Sequence, residues 1–117
     1  MADLEDGLWA CGTPHSVNAA ATPLKSEFVI GMVKGGEAGF ALKQGDATSG
    51  RLATSYNGPR PPRYQPMKKQ GALILGIGGD NSDSARGTFF EGVVTAALTS
   101  DAADDAVARD IAGVYGV

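Results

Sequence analysis

The chain is poor in the groups that most often carry chemistry. It holds one cysteine, Cys11, one histidine, His15, and one tryptophan, Trp9, among 117 residues. A single cysteine excludes an internal disulfide, and Cys11 reads as a packed small hydrophobe. A Cys11–His15 nucleophile would need partners that no further signature supplies. The formal net charge of −3 excludes the clustered basic surface that phosphate backbones require, so no nucleic-acid partner is expected. No apolar run approaches the roughly 18 residues of a membrane span, so no membrane partner is expected either. The first residues are acidic (Asp3, Glu5, Asp6), unlike the basic start of a signal peptide, and leave the cellular location unassigned.

Glycine and aliphatic residues are abundant. There are 17 glycines, 43% hydrophobic residues and 20% charged ones, which describes a globular chain of short strands and tight turns. The length fits one domain over residues 1–117.

Along the chain, Met1 to Cys11 alternates apolar and acidic residues and predicts a strand with one wet face. Gly12 to Pro23 reads as a loop. Glu27 to Val33 is β-branched and predicts a strand ended by Lys34-Gly35-Gly36, with Gly39 to Lys43 as its partner. Gln44 to Ser49 is a turn. Arg51 to Tyr56 predicts a strand with Leu52, Thr54 and Tyr56 on one face. Four prolines between Asn57 and Pro66 exclude a central strand or a helix there. Gly71 to Ile77 is a continuous apolar run, as in a buried strand, and Gly87 to Ala97 predicts another strand. Thr99 or Ser100 then caps a helix whose first turn holds Asp101, Asp104 and Asp105. Its apolar face is Ala103, Val107, Ile111, Val114 and Tyr115. The expected fold is mainly β, an antiparallel sandwich-like sheet with one C-terminal α-helix.

Several motifs fall short. Leu75 to Asp80 is glycine-rich after a strand, but a dinucleotide fingerprint needs glycine where Asn81 stands. Asp80, Ser82, Ser84 and Glu91 fit positions 1, 3, 5 and 12 of a calcium loop, yet Ala85 replaces its obligatory glycine, so no metal is expected. Arg60, Arg63, Lys68 and Lys69 read as a solvated loop, with Arg60 and Tyr64 able to reach sugar hydroxyls. Trp9 could line a core or stack on a sugar ring. Glu5 and Asp80 each adjoin an apolar segment, where partial desolvation raises the pKa of a protonated carboxyl. Such a pair is the equipment for splitting a glycosidic bond.

Lys69 to Ser82 (KQGALILGIGGDNS) and Arg86 to Thr95 (RGTFFEGVVT) resemble the family 54 α-L-arabinofuranosidases. Met1 to Leu8 is similar to the segment holding that family's nucleophile. Phe28 to Gly35, Ser49 to Tyr56 and Gly58-Pro59-Arg60-Pro61 follow in family order. The resemblance implies a β-sandwich enzyme that removes terminal arabinofuranosyl groups with retention and without a cofactor. It implies Glu5 as nucleophile, Asp80 as general acid/base, Asp3 as a sugar-contacting acid and Gly79 as a backbone contact; Asp6 beside Glu5, and Trp9 as a stacking face beside two acids, are further sugar-side candidates from their place in the chain. Two asparagines that follow the nucleophile in the family are Asp6 and Gly7 here, which implies altered sugar binding. The family's catalytic domain also extends upstream, where an adjacent-cysteine disulfide and a pocket tryptophan lie. The implied partner is an arabinose-containing polysaccharide or oligosaccharide, and pairing with a second copy is expected to cover open sheet edges. A non-catalytic carbohydrate-binding or structural β-domain is the alternative.

Overall fold

A computed structural model describes residues 2–3, 7–8, 20–60, 62 and 86–115. Contacts divide the chain into two units, Met1–Tyr64 with Ala97–Val117, and Gln65–Ala96. The described part is mainly β, with one C-terminal helix.

The first unit opens with two short strands, β1 (Ala2–Asp3) and β2 (Gly7–Leu8), paired antiparallel with Ala2 opposite Leu8 and Asp3 opposite Gly7. The single strand expected from Met1 to Cys11 is therefore two. Period-two alternation over so few residues does not separate one strand from two facing ones, and the Asp6-Gly7 dipeptide is itself a turn signal.

Its main sheet has the order β3-β4-β5, all antiparallel, built from β3 (Val29–Gly35), β4 (Gly39–Asp46) and β5 (Ala53–Pro59). The β3–β4 turn closes on a hydrogen bond from the Gly36 amide to the Gly39 carbonyl at 3.0 Å. The ladder runs on past the expected end of β4 at Lys43, to Val29 opposite Asp46. The expected turn at Gln44 to Ser49 thus shrinks to a 3-10 turn, Ala47–Ser49. Asp46 caps it. Its Oδ1 accepts from the Thr48 amide at 2.8 Å and the Thr48 hydroxyl at 2.7 Å. Those hydroxyl and amide bonds hold the Asp46 carboxyl below the usual range. Gly50 follows at φ 61°, in left-handed backbone that favours glycine.

β5 is an outer strand of this sheet, and it reaches Pro59 at its very end, opposite Gly39. Proline is tolerated at such a position because no central ladder bond is lost. A bulge shifts the β4–β5 register: Leu42 faces Tyr56, while Lys43 faces Thr54. Thr54 and Tyr56 therefore lie on opposite faces, and the single face expected for Leu52, Thr54 and Tyr56 is broken. A bulge inserts one residue and so inverts the alternation beyond it. On β4, Ala41, Leu42 and Lys43 are all buried, as befits the strand flanked on both sides.

Helix α1 (Asp101–Tyr115) begins where expected. Ser100 caps it, its hydroxyl accepting from the Ala103 amide at 3.2 Å. The buried face differs from the expected one. Asp104 and Ala108 are buried and Ile111 and Ala112 half-buried, whereas Ala103, Val107, Val114 and Tyr115 are exposed. The helix is rotated so that an aspartate, rather than an aliphatic row, meets the sheet. The reason is the ion cluster described below.

In the second unit the described residues, 86–96, have no regular secondary structure. The strand expected from Gly87 to Ala97 is absent there, and Phe89, Phe90, Val93 and Val94 are each more than half exposed. Strand propensity is a preference for a pleated, half-buried surface, and it yields a strand only where a neighbouring ladder supplies one. The strand expected at Gly71 to Ile77 lies outside the described residues.

Candidate functional site

Of the residues singled out for glycoside chemistry, the structure describes the backbone of Asp3, on β1 opposite Gly7. Glu5, Asp6, Trp9, Gly79 and Asp80 lie outside the described residues, as do Cys11, His15, Arg63 and Tyr64. Of the calcium-loop positions, Glu91 is exposed and the other three lie outside. Among the described residues no group of three His, Cys, Asp or Glu side chains could hold a metal ion. No described helix is long and apolar enough to cross a membrane.

Arg60 departs from the solvated role expected of it. Its guanidinium donates to the Gly36 carbonyl at 2.6 Å and to the Glu37 carbonyl. The planar fork fastens the end of β5 to the β3–β4 turn, which leaves it committed to backbone rather than offered to a sugar. Beside it, Phe40 and Tyr56 pack with ring centroids 4.9 Å apart and a 38° tilt. The Tyr56 hydroxyl donates to the Pro59 carbonyl at 2.5 Å.

The most concentrated chemistry in the described residues is a four-charge cluster that the sequence reading did not single out. Lys34 and Lys43 stand on one face of the sheet, since Lys43 pairs with Met32 and Lys34 with Ala41. The first turn of α1 lowers Asp101 and Asp104 onto them. Lys43 Nζ lies 2.7 Å from both Asp101 Oδ1 and Asp104 Oδ2. Lys34 Nζ lies 2.5 Å from Asp104 Oδ2 and 3.2 Å from Asp101 Oδ1. The Thr99 hydroxyl donates to Asp104 Oδ1 at 2.5 Å. Both Asp104 oxygens are thus satisfied although its side chain is only 1% exposed, and Lys43 is 6% exposed.

Burial works against the Asp104 charge, but the hydrogen bonds from Lys34, Lys43 and Thr99 and the Lys43 charge outweigh it, and its pKa falls to about 2. Burial likewise opposes the Lys43 charge, and Asp101 and Asp104 overcome it, so Lys43 is raised above its usual value. Lys34 is raised chiefly by its bond to Asp104. Asp101 is lowered by its bonds to Lys43 and Lys34. All four groups are fixed in their charged forms near neutral pH. None can shuttle a proton or act as an amine nucleophile there, so the cluster is a structural joint. The signal that could have located it is the i, i+3 spacing of Asp101 and Asp104, which places both on one helix face. Composition gave no reason to pair them with two lysines about sixty positions upstream.

With sheet, helix and charge cluster in place, the described residues are mainly β with no metal-ligand group among them, and the chain's relatives give it a family. The model of the family described as alpha-L-arabinofuranosidase B, catalytic, matches residues 1–115. A probable alpha-L-arabinofuranosidase B of Aspergillus clavatus is 49% identical over 113 residues, which is 95% of this chain and 22% of that protein. The alpha-L-arabinofuranosidase B of Emericella nidulans is 49% identical over 114 residues, again 95% and 22%. An alpha-L-arabinofuranosidase of Hypocrea jecorina is 47% identical over 120 residues, covering all of this chain and 24% of that protein. No solved structure matches the chain. The chain belongs to the alpha-L-arabinofuranosidase B catalytic family. It spans under a quarter of the length of these curated relatives.

Proposed function

We propose that this chain carries the two carboxyl groups of a retaining α-L-arabinofuranosidase that releases terminal arabinofuranosyl groups from hemicellulose. The observation that carries the reading is the family match across residues 1–115, which spans both Glu5 and Asp80. Protonated Asp80 donates its proton to the departing glycosidic oxygen while a Glu5 oxygen bonds to the anomeric carbon. A water molecule then attacks that carbon, Asp80 takes its proton, and the Glu5 ester bond breaks. Retention requires the two carboxyls to lie about 5 Å apart. Asp3, Asp6, Trp9 and Gly79 are the proposed sugar contacts.

The test is release of the aryl group from an aryl α-L-arabinofuranoside, with the anomer of the first-formed sugar followed by NMR. Glu5→Gln and Asp80→Asn are each expected to abolish turnover, and undiminished rates in either variant would defeat the assignment. A second reading is that this stretch binds arabinose-containing chains without cutting them. Calorimetry with arabinoxylan oligosaccharides separates the two, since heat of binding with no product supports the second.

A further inference from the structure

We infer that helix α1 is a detachable element, held to the sheet by the Lys34–Lys43–Asp101–Asp104 latch and released as a unit while the three-stranded sheet stays folded.

The apolar contribution to helix docking is small. On α1, Ala108 is buried and Ile111 and Ala112 are half-buried. The other close approach is at Gly50, where an added Cβ would sit 3.3 Å from Arg109 Cα and 3.4 Å from Ala112 Cβ. Val107 and Val114 contribute little apolar burial, being exposed by 42% and 71%. Among the described residues the charged attachment is the cluster, whose four ion pairs all join α1 to β3 or β4.

A joint of this kind fails abruptly. When one member is removed, its partner is left charged and buried, a far larger penalty than the loss of an apolar contact. Asp104 is faced by Lys34 from β3, Lys43 from β4 and Thr99 from the segment before the helix, with Asp101 one turn away on α1. Arg109 lies instead against Gly50. Release would leave two lysines without counter-ions on the sheet face, water would reach them, and the sheet's own ladder would be untouched. Local opening of one contiguous element below the global unfolding free energy is the expected behaviour of such a region.

Native-state hydrogen exchange on the whole chain tests this. The amides of 105–112 should exchange through one shared opening that depends less on denaturant than the opening exposing the β4 amides of 41–44. Lys43→Met should speed exchange in 105–112 by roughly 100-fold or more and leave 41–44 unchanged within a few-fold. The paired variant Lys43→Met with Asp104→Leu leaves Lys34 with Asp101. It should return helix protection to within about ten-fold of the parent. Its helical dichroism should also persist on acidification from pH 4 to 2, where the parent's is lost. Equal denaturant dependence of helix and strand amides in the parent chain would overturn the inference, even if Lys43→Met fails to fold. So would equal acceleration of both sets in Lys43→Met, or unchanged acid sensitivity in the paired variant. None of these readouts involves turnover, so their failure would leave the hydrolase reading intact.

Discussion

At the scale of single residues, Asp104 shows how local context outranks side-chain type. An aspartate is seldom fully buried, yet this one is covered because two ammonium groups and a hydroxyl satisfy it. Its folded pKa of about 2 lies below the ordinary 3.8, so its contribution is complete above pH 4 and is lost as pH falls through 2. That contribution is about 2 kcal/mol. The lysines behave oppositely: raised above 10.5, they contribute fully below that value and lose the contribution as pH climbs through their folded values. Stability measured by urea titration should therefore be nearly flat from pH 5 to 9 as far as this cluster is concerned, and fall between pH 4 and 2. Gly50 offers a second check. Gly50→Ala forces a Cβ into left-handed backbone and against the helix, and should cost about 1–2 kcal/mol in the same titration.

At the scale of elements, the helix is the part most legible in sequence and also the part whose buried face departs from its aliphatic periodicity. Ser100 and the acidic first turn marked its start, because capping and dipole effects are local. Ser100→Ala should cost about 1 kcal/mol, seen as a drop in the thermal midpoint with the sheet register unchanged. The buried face was not local information. Aliphatic periodicity pointed to Val107, Val114 and Tyr115, and the lysines on β3 and β4 drew Asp104 and Ala108 inward instead. The sheet shows the same division. Glycine punctuation between β-branched runs located β3 and β4, but the bulge on β5 and the missing strand at 87–97 depend on which chain lies alongside.

At the scale of the whole molecule, exposed apolar side chains ask for a covering. Val33, Phe89, Phe90, Val93 and Val94 are each more than half exposed, and the pairing with a second copy expected from the sequence is one way to cover them. Sedimentation velocity across a hundred-fold range of concentration should show a species heavier than 11.9 kDa, and a strictly monomeric boundary throughout would count against it. The hydrolase proposal belongs to this scale as well. Glu5 and Asp80 are far apart in the chain, so only tertiary structure can bring their carboxyls within reach of one anomeric carbon.

By itself the sequence determined the family, the predominance of strands and the start of the helix, and it nominated Glu5 and Asp80 for the proposed reaction. These follow from patterns and motifs a few residues long. Tertiary structure alone decided that Arg60 fastens a turn, that α1 presents Asp104 inward, and that Lys34 and Lys43 receive it. The first rests on a guanidinium and two carbonyls 23 and 24 positions apart, the other two on charges 58 to 70 positions apart. Whether such charges meet is set by strand register and by the cost of burying each unpaired, neither of which is written in any short stretch of chain.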